Sequence, residues 1–242
     1  MHIEAGRRNR RVFFIIPVVL TALCWVYVLA GAGTGMNIWN MTTLQFPPPV
    51  GISGTSGDWS WMYSANMLGM WWTMMIAMML PGVITHVKWL SLQGTWQAAG
   101  FILGYCGIWF LFSISAVILQ FAAEKFNYLH PMYMWSMSTE FSVTVLIGAS
   151  AYQFSPMKQA ALKRCNSRHP IYSIHYGRHC LTASGPLMML LFVGGVMNLI
   201  WILCLSAVVT TEKKLPHPRP FSFVVGAAIL ILAIKVVWTE QL

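Results

Sequence analysis

Hydrophobic residues gather along the chain into blocks long enough to cross a lipid bilayer. A bilayer core about 30 Å thick requires roughly 20 apolar residues of helix. Six blocks meet or approach that length, and the last and shortest of them contains Lys235. The pattern predicts six transmembrane helices at residues 12–32, 65–85, 98–122, 135–154, 186–208 and 221–238.

The connections between these blocks are too short to hold a soluble domain with its own core. Backbone groups inside a bilayer must be hydrogen-bonded within the spanning segment, which favours helices. We therefore expect residues 1–242 to form a single, all-α, polytopic membrane domain. The first block follows a cluster of arginines, and we interpret it as a signal anchor that is retained as the first helix.

The composition agrees with a chain that is dissolved in a membrane. Hydrophobic residues make up 57% of the chain and charged residues only 9%. Soluble domains of this size carry about 25% charged residues. The chain is therefore expected in a cell membrane, and specifically in a bacterial inner membrane, with the lipid bilayer as its surroundings.

The net charge of +9 is unevenly distributed between the predicted loops. With six spans and a cytoplasmic amino terminus, the outer loops hold only Lys125, Lys213, Lys214 and Arg219. An excess of Lys and Arg marks the cytoplasmic side, so both termini are predicted to be cytoplasmic. The basic residues are spread over several loops without an RNA or DNA motif, so nucleic acid is not expected as a partner. The predicted inner set is Arg7, Arg8, Arg10, Arg11, Lys88, Lys158, Lys163, Arg164, Arg168 and Arg178.

The predicted inner loop at residues 155–185 carries most of the candidate chemistry. Thiol and imidazole groups bind copper and zinc, and five of them lie close together here. His175 and His179 would stand one helical turn apart, and Cys165 and His169 would do the same, so two pairs could form a four-coordinate site. The alternative is a basic, lipid-facing loop with incidental ligands. The candidate ligands are Cys165, His169, His175, His179 and Cys180, and no disulfide is expected among them in a reducing cytoplasm.

Methionines form a second candidate feature, on the second predicted span. Met70, Met74 and Met78 share one helix face and could pass Cu(I) along it, because soft sulfur ligands select that ion. Methionine also fills packing gaps in any hydrophobic core, and this alternative stays open. His130, with methionines at positions 132, 134 and 137, could form an outer entry site for a soft metal or could rest on lipid.

A few charged residues lie inside or beside the predicted spans. Glu140 is expected about one and a half turns into the fourth span, as a proton or metal carboxylate or as a group that reaches the outer surface. Lys235 is expected to extend its ammonium to the membrane surface. Glu124 and Glu212 fall just outside helix ends, and both are expected to be solvated.

Three segments of the chain resemble an uncharacterised family described as predicted metal-binding integral membrane proteins. The segments are residues 71–81 (WWTMMIAMMLP), 152–158 (YQFSPMK) and 190–201 (LLFVGGVMNLIW), and they occur in the family's order. The resemblance implies a metal-binding membrane protein. Family members carry a cysteine pair where this chain has Ala161 and Cys165, and a cysteine-rich stretch where it has residues 180–185, so most of the family's thiols are missing.

Three classes of function follow from these observations. The first is copper handling in the membrane, either alone or in support of a copper-containing membrane enzyme, with zinc as the other candidate metal. The second is a non-catalytic subunit of a larger membrane complex, such as a respiratory, photosynthetic or monooxygenase assembly. The third is an enzyme acting on a lipid-soluble substrate, which the sequence favours least because it holds no paired carboxylates, nucleophile motif or phosphate loop. We rank copper handling first, and other membrane subunits are the expected partners.

Overall fold

The computed structural model of the chain describes residues 2–31, 42, 46, 59–131, 133–165 and 173–240, without the side chains of residues 2–14 and 240. The regular elements in these residues are helical, which confirms the all-α prediction. The helices are α1 (His2–Leu29), α2 (Trp61–Met79), a short 3-10 helix (Leu80–Gly82), α3 (Ile84–Gln93), α4 (Thr95–Lys125), α5 (Thr139–Phe154), α6 (Pro156–Cys165), α7 (Ser173–Met188), α8 (Leu191–Gly194), α9 (Leu199–Lys214) and α10 (Pro218–Glu240).

Two of the described helices are long and apolar enough to cross a membrane. They are α4 and the Pro218–Thr239 part of α10, which correspond to the predicted spans at 98–122 and 221–238. Helix α2 with its 3-10 extension, followed by α3, forms a third candidate that bends by 70°. A shorter apolar helix covers Ile15–Leu29. Length and composition therefore show two or three candidate spans among the described residues, and six are not shown.

The contacts between helices define two ends of the bundle. At one end, which we call the basic end, Lys213 of α9 lies against Gly82 and shares a cavity wall with Lys88. At the other end, which we call the opposite end, the indole of Trp59 donates to the carboxylate of Glu124 at 2.9 Å. Helix α4 begins at the basic end and finishes at the opposite end, and α5 returns and packs along α10.

The predicted span at 186–208 is not one helix, and this expectation is wrong. Helix α7 ends at Met188, α8 ends at Gly194, and α9 begins at Leu199. Gly195 has a φ of +97°, a conformation that side chains with a Cβ rarely adopt. The Asn198 side chain then caps α9 by accepting from the backbone N–H of Ile200 at 3.1 Å. The chain turns at this break, and α9 runs back to the basic end.

Because the chain turns here, several charged groups lie together that were predicted on opposite sides of the membrane. Lys158 and Glu212, expected on opposite sides of the membrane, form an ion pair with Nζ–Oε1 at 2.7 Å. Lys88 and Lys213, also assigned to opposite sides, line the same cavity. The two members of each pair therefore do not lie on opposite sides, and that part of the predicted side assignment is wrong. It failed because an apolar run does not reveal where the chain reverses within it.

The acidic residues also differ from their expected environments. Glu124 and Glu212 are only 3% and 1% exposed, so the expectation that they are solvated is wrong. Both carboxylates are buried with hydrogen-bond donors, which compensate for lost water. Glu140 is exposed in the first turn of α5, because that helix begins at Thr139 and not at residue 135. A carboxylate is favoured at this helix terminus.

Candidate functional site

The thiols of Cys165 and Cys180 lie beside each other inside the protein. Cys165 is the last residue of α6, Cys180 is in the middle of α7, and these two helices pack together. Their sulfur atoms are 3.4 Å apart, with Cys165 donating, and the two residues are 6% and 0% exposed. The hydrogen bond to Cys180, together with burial, raises the pKa of the Cys165 thiol. The structure thus brings together two of the predicted ligands. Both lie on helices, although the sequence predicted that this part of the chain is a loop.

A buried ammonium group accompanies the two thiols. The Lys213 side chain is 7% exposed, and its Nζ lies 3.4 Å from the hydroxyl of Tyr105. Its positive charge stabilises the thiolate form of both Cys165 and Cys180. The Lys213 stem crosses Gly82, where an added Cβ would meet Cδ of the lysine at 2.8 Å. A residue without a side chain at position 82 therefore allows the lysine to reach the thiols.

Aromatic rings form the remaining wall around the thiols. The Tyr105 hydroxyl donates to the carbonyl of Met79 at 3.3 Å. Tyr176 packs within a ring-centroid distance of 6.1 Å of Tyr105, and the His86 ring stacks on Tyr176 at 4.7 Å. This wall is continuous with the α3 part of the bent helix pair. The site is thus assembled from α3, α4, α6, α7 and α9.

A cavity of about 480 Å³ reaches Cys165 from the basic end of the bundle. Its walls come from the 3-10 helix, α3, α6, α7 and the end of α9. Cys165 is therefore the member of the thiol pair that meets this space. The lining residues that matter here are His86, Lys88, Cys165, Tyr176, Lys213 and Lys214.

The described histidines of the predicted site, His175 and His179, do not join the thiol pair. His175 and His179 line a different cavity, of about 440 Å³, between α6 and α7. Arg164 and Arg178 line that cavity too, and both lower the affinity expected for a cation. His169 lies outside the described residues. Within the part of the chain that the structure describes, no group of three or more His, Cys, Asp or Glu side chains could hold a metal.

His130 lies in the connection between α4 and α5, at the opposite end. It is 2% exposed, and its Nδ1 accepts the backbone N–H of Tyr133 at 3.2 Å. The backbone N–H of Met134 donates to the carbonyl of His130 at 2.8 Å, so the predicted neighbours Met134 and His130 belong to one tight turn. His130 and Met134 are thus buried within a folded turn.

The methionines of α2 face the interior of the bundle. Met70, Met74 and Met78 are 0%, 1% and 0% exposed and belong to the main core. The backbone carbonyl of Met78 accepts the Ser206 hydroxyl at 3.4 Å, so this stretch of α2 is tied to α9. Their burial fits both interpretations that the sequence left open, because a packing residue and a thioether path would each lie inside.

A polar cluster at the opposite end was missed by sequence reasoning. Gln120 accepts from the Trp71 indole at 2.7 Å and donates to Glu124 at 2.8 Å. The Gln120 amide also contacts the sulfur of Met67 at 3.9 Å. Gln120 and Glu124 are spaced i,i+4 on α4, and this pairing of polar residues on an apolar helix was the signal that could have indicated the cluster.

The geometry describes an all-α protein with two or three candidate membrane spans among its described residues and a buried dithiol that opens to a basic cavity. The family model described as PpoB2, copper chaperone, matches residues 68–236, which include most of α2, the helices from α3 to α9 and most of α10. The chain belongs to this family of copper chaperones. A search of curated proteins and a search of solved structures returned no match. The family confirms the metal-handling part of the resemblance seen in the sequence, and it implies copper as the metal.

Proposed function

We propose that this chain is a membrane-embedded Cu(I) chaperone that carries its cargo on the thiols of Cys165 and Cys180. The observation that carries the proposal is the buried 3.4 Å contact between the two sulfur atoms. Soft thiolates select Cu(I) over harder ions, so the donor set fits the family's metal. Zinc is the second candidate metal, because it also accepts two thiolates but then requires further ligands.

Loading requires proton release and no electron transfer. Cu(I) binds thiolates, so the thiol protons must leave as the ion arrives. Two thiolates and one Cu(I) ion carry a net negative charge inside a buried site. The Lys213 ammonium supplies the compensating positive charge, since it already acts on both sulfur atoms. Lys213 thus has a positioning and charge-balancing role, while the cysteines hold the ion.

The methionine face of α2 gives the cargo a path away from the thiols. Met70, Met74 and Met78 occupy the interior of the bundle and present thioethers, which bind Cu(I) more weakly than thiolates. Because each thioether binds Cu(I) weakly, the ion can move from one methionine to the next and is not held at a single position. His130 lies at the opposite end as a candidate exit ligand. His175, His179 and His169 are proposed as a separate peripheral site, since the described histidines of this group lie in another cavity.

The proposed membrane arrangement has seven crossings. Helices α7 and α8 lead from the basic end to the opposite end, α9 returns, and α10 crosses again. The arrangement is supported by charge: of the 15 lysines and arginines, all but Lys125 and Lys235 then belong to the amino-terminal side. That asymmetry is larger than in the six-span alternative and favours a cytoplasmic basic end. The carboxyl terminus is then on the far side of a bacterial inner membrane.

The expected recipient is a copper-containing membrane enzyme. A chaperone must give up its cargo to a partner, and a membrane-embedded donor reaches a membrane-embedded acceptor most directly. A role as an accessory subunit of a larger complex is compatible with this proposal, because a chaperone can remain bound to the enzyme that it loads.

The test is copper stoichiometry in the protein reconstituted in zwitterionic lipid nanodiscs. We expect wild-type protein loaded with Cu(I) and then desalted to retain about one ion per chain. The double variant Cys165→Ser/Cys180→Ser is expected to lose that ion, while the control Cys204→Ser, which changes an exposed cysteine, is expected to keep it. Unchanged copper content in the double variant would contradict the proposal.

A further inference from the structure

The cavity beside Cys165 has the dimensions and the charge of a binding site for a small anion. Its volume of about 480 Å³ lies within the range of small-molecule pockets, about 300–1,000 Å³. The charged side chains among its described lining residues are all lysines, Lys88, Lys213 and Lys214. A bare Cu⁺ ion would be repelled by these ammonium groups as it approached the thiols. An anionic carrier of the same ion would be attracted.

We propose that copper enters this site as an anionic Cu(I) complex of a small carboxylate-bearing thiol, and that the basic cavity is the docking site for that complex. This proposal rests on the chaperone function above and names the form in which its substrate arrives. The thiol of Cys165 on the cavity wall distinguishes the site from a pocket for an anionic lipid head group, because a lipid head group has no metal ion for the thiol to bind.

A second observation places a hydrogen-bonding group on the cavity wall. Nε2 of His86 is buried, and it has no hydrogen-bond partner among the described residues. The ring is held in place by stacking on Tyr176 and Phe101, at centroid distances of 4.7 and 4.9 Å. A fixed, unsatisfied imidazole nitrogen can bond to a polar group of the carrier, which would remove the cost of leaving it buried alone.

The exchange balances without a redox partner. The incoming complex holds Cu(I) between two carrier thiolates and is anionic. Cys165, at the cavity wall, attacks copper first and Cys180 follows, so two Cu–S bonds form as two break. The two cysteine protons pass to the carrier thiolates, which leave as neutral thiols. The product is an anionic dithiolate beside Lys213 and copper remains Cu(I), while each carrier leaves with a protonated thiol and keeps its charged carboxylate.

The test compares donors of opposite charge. In the anionic arm, Cu(I)–bicinchoninate mixes with wild-type protein in zwitterionic nanodiscs, and loss of the donor's colour reports transfer. In the cationic arm, the donor is the acetonitrile complex of Cu(I). We expect transfer from the anionic donor to slow about tenfold or more as ionic strength rises, because screening removes electrostatic steering. Transfer from the cationic donor is expected to be unchanged or faster.

The variants Lys214→Gln and Lys214→Glu change the cavity without touching the thiols. We expect Lys214→Glu to slow transfer from the anionic donor by about tenfold at low ionic strength, with a smaller effect for Lys214→Gln. The matched control is Lys125→Glu, which makes the same charge change at the opposite end, and it should leave the rate unchanged. Equal final copper content in all proteins shows that they are folded.

Each outcome separates this inference from the function on which it rests. Wild-type protein could take copper from both donors at rates that depend neither on the donor's charge nor on ionic strength, and that do not change in the Lys214 variants. In that case the docking inference is wrong and the chaperone proposal stands. If wild-type protein takes no copper from either donor, the chaperone proposal fails with it. Cu(I)–glutathione as a third donor should follow the anionic pattern, and behaviour like the cationic donor would also overturn the inference.

Discussion

The Nζ atom of Lys158 lies 2.7 Å from Oε1 of Glu212, and the two side chains are 0% and 1% exposed. This ion pair joins the first turn of α6 to the last turn of α9. Burial lowers the pKa of Lys158, and the neighbouring carboxylate acts in the opposite direction. Glu212 also accepts the Ser222 hydroxyl at 2.9 Å, so α10 is tied to the same carboxylate. The pair thus fixes the basic end, where the proposed copper site lies.

Removal of one charge of this pair should be more harmful than removal of both. Glu212→Leu leaves a buried ammonium without its carboxylate, and we expect the free energy of unfolding to fall by about 3–5 kcal/mol. The double variant Lys158→Met/Glu212→Leu buries no charge and should be more stable than the single variant. Thermal unfolding in mild detergent, arranged as a double-mutant cycle, measures the difference. A single variant as stable as wild type would show that the pair does not hold this end together.

The two termini are expected on opposite sides of the membrane. The turn after Gly195 makes α9 return to the basic end. Helix α10 therefore starts at the basic end and finishes at the opposite end. Reporters that work only in the cytoplasm or only in the periplasm, fused after residue 242, determine the side directly. We expect periplasmic activity for the full chain and cytoplasmic activity for a fusion after residue 215. A cytoplasmic carboxyl terminus would favour the six-span alternative.

The charge of Lys213 should contribute to Cu(I) affinity. Lys213→Met keeps the length of the side chain but leaves the copper dithiolate without its buried counter-charge, and we expect about tenfold weaker binding. Lys214→Met is the control at equilibrium, since Lys214 is exposed and its charge is screened by solvent. Competition against a chromophoric Cu(I) chelator measures both affinities. Equal affinities in the two variants would remove Lys213 from the proposed site.

The methionine face of α2 should bind copper without holding the fold together. The triple variant Met70→Leu/Met74→Leu/Met78→Leu conserves volume closely, so each change should cost less than about 1.5 kcal/mol. We expect it to keep the first Cu(I) equivalent, on the cysteines, and to lose the weaker equivalents that bind at higher copper. X-ray absorption at the copper edge distinguishes the two populations. If the copper content at every concentration matches wild type, packing is the sole role of these methionines.

The sequence predicted most of the helical segments but not the path between them. Hydropathy located α4 and α10 because each is a single long apolar helix. It could not divide residues 186–208, since the segment stays apolar through the turn. The local signals were present in Gly194, Gly195 and Asn198, because adjacent glycines followed by a capping asparagine end one helix and begin another.

The thiol pair shows a similar limit. Helical spacing correctly placed His175 and His179 together, since i,i+4 residues share a face, and they line one cavity. Spacing within one helix carries no information about a residue on a neighbouring helix. Cys180 faces α6 because α7 packs against it, and this contact is what brings its sulfur to Cys165.

Gly82 provides a test of the copper site that does not change any charged or sulfur-bearing group. An added Cβ would lie 2.8 Å from Cδ of Lys213, so Gly82→Ala should push the lysine stem away from the thiols. The side chain is flexible, and a displaced lysine can reach the cavity, so stability should change little while Cu(I) affinity falls by about the same factor as in Lys213→Met. Gly69→Ala is the matched control, because an added Cβ there meets nothing within 4 Å. If Gly82→Ala binds copper as wild type does while Lys213→Met does not, the Lys213 ammonium reaches the thiols without needing the space above Gly82. If the two variants weaken binding equally, and the double variant no further, then the path of the Lys213 side chain over Gly82 is what delivers its charge to the copper thiolates.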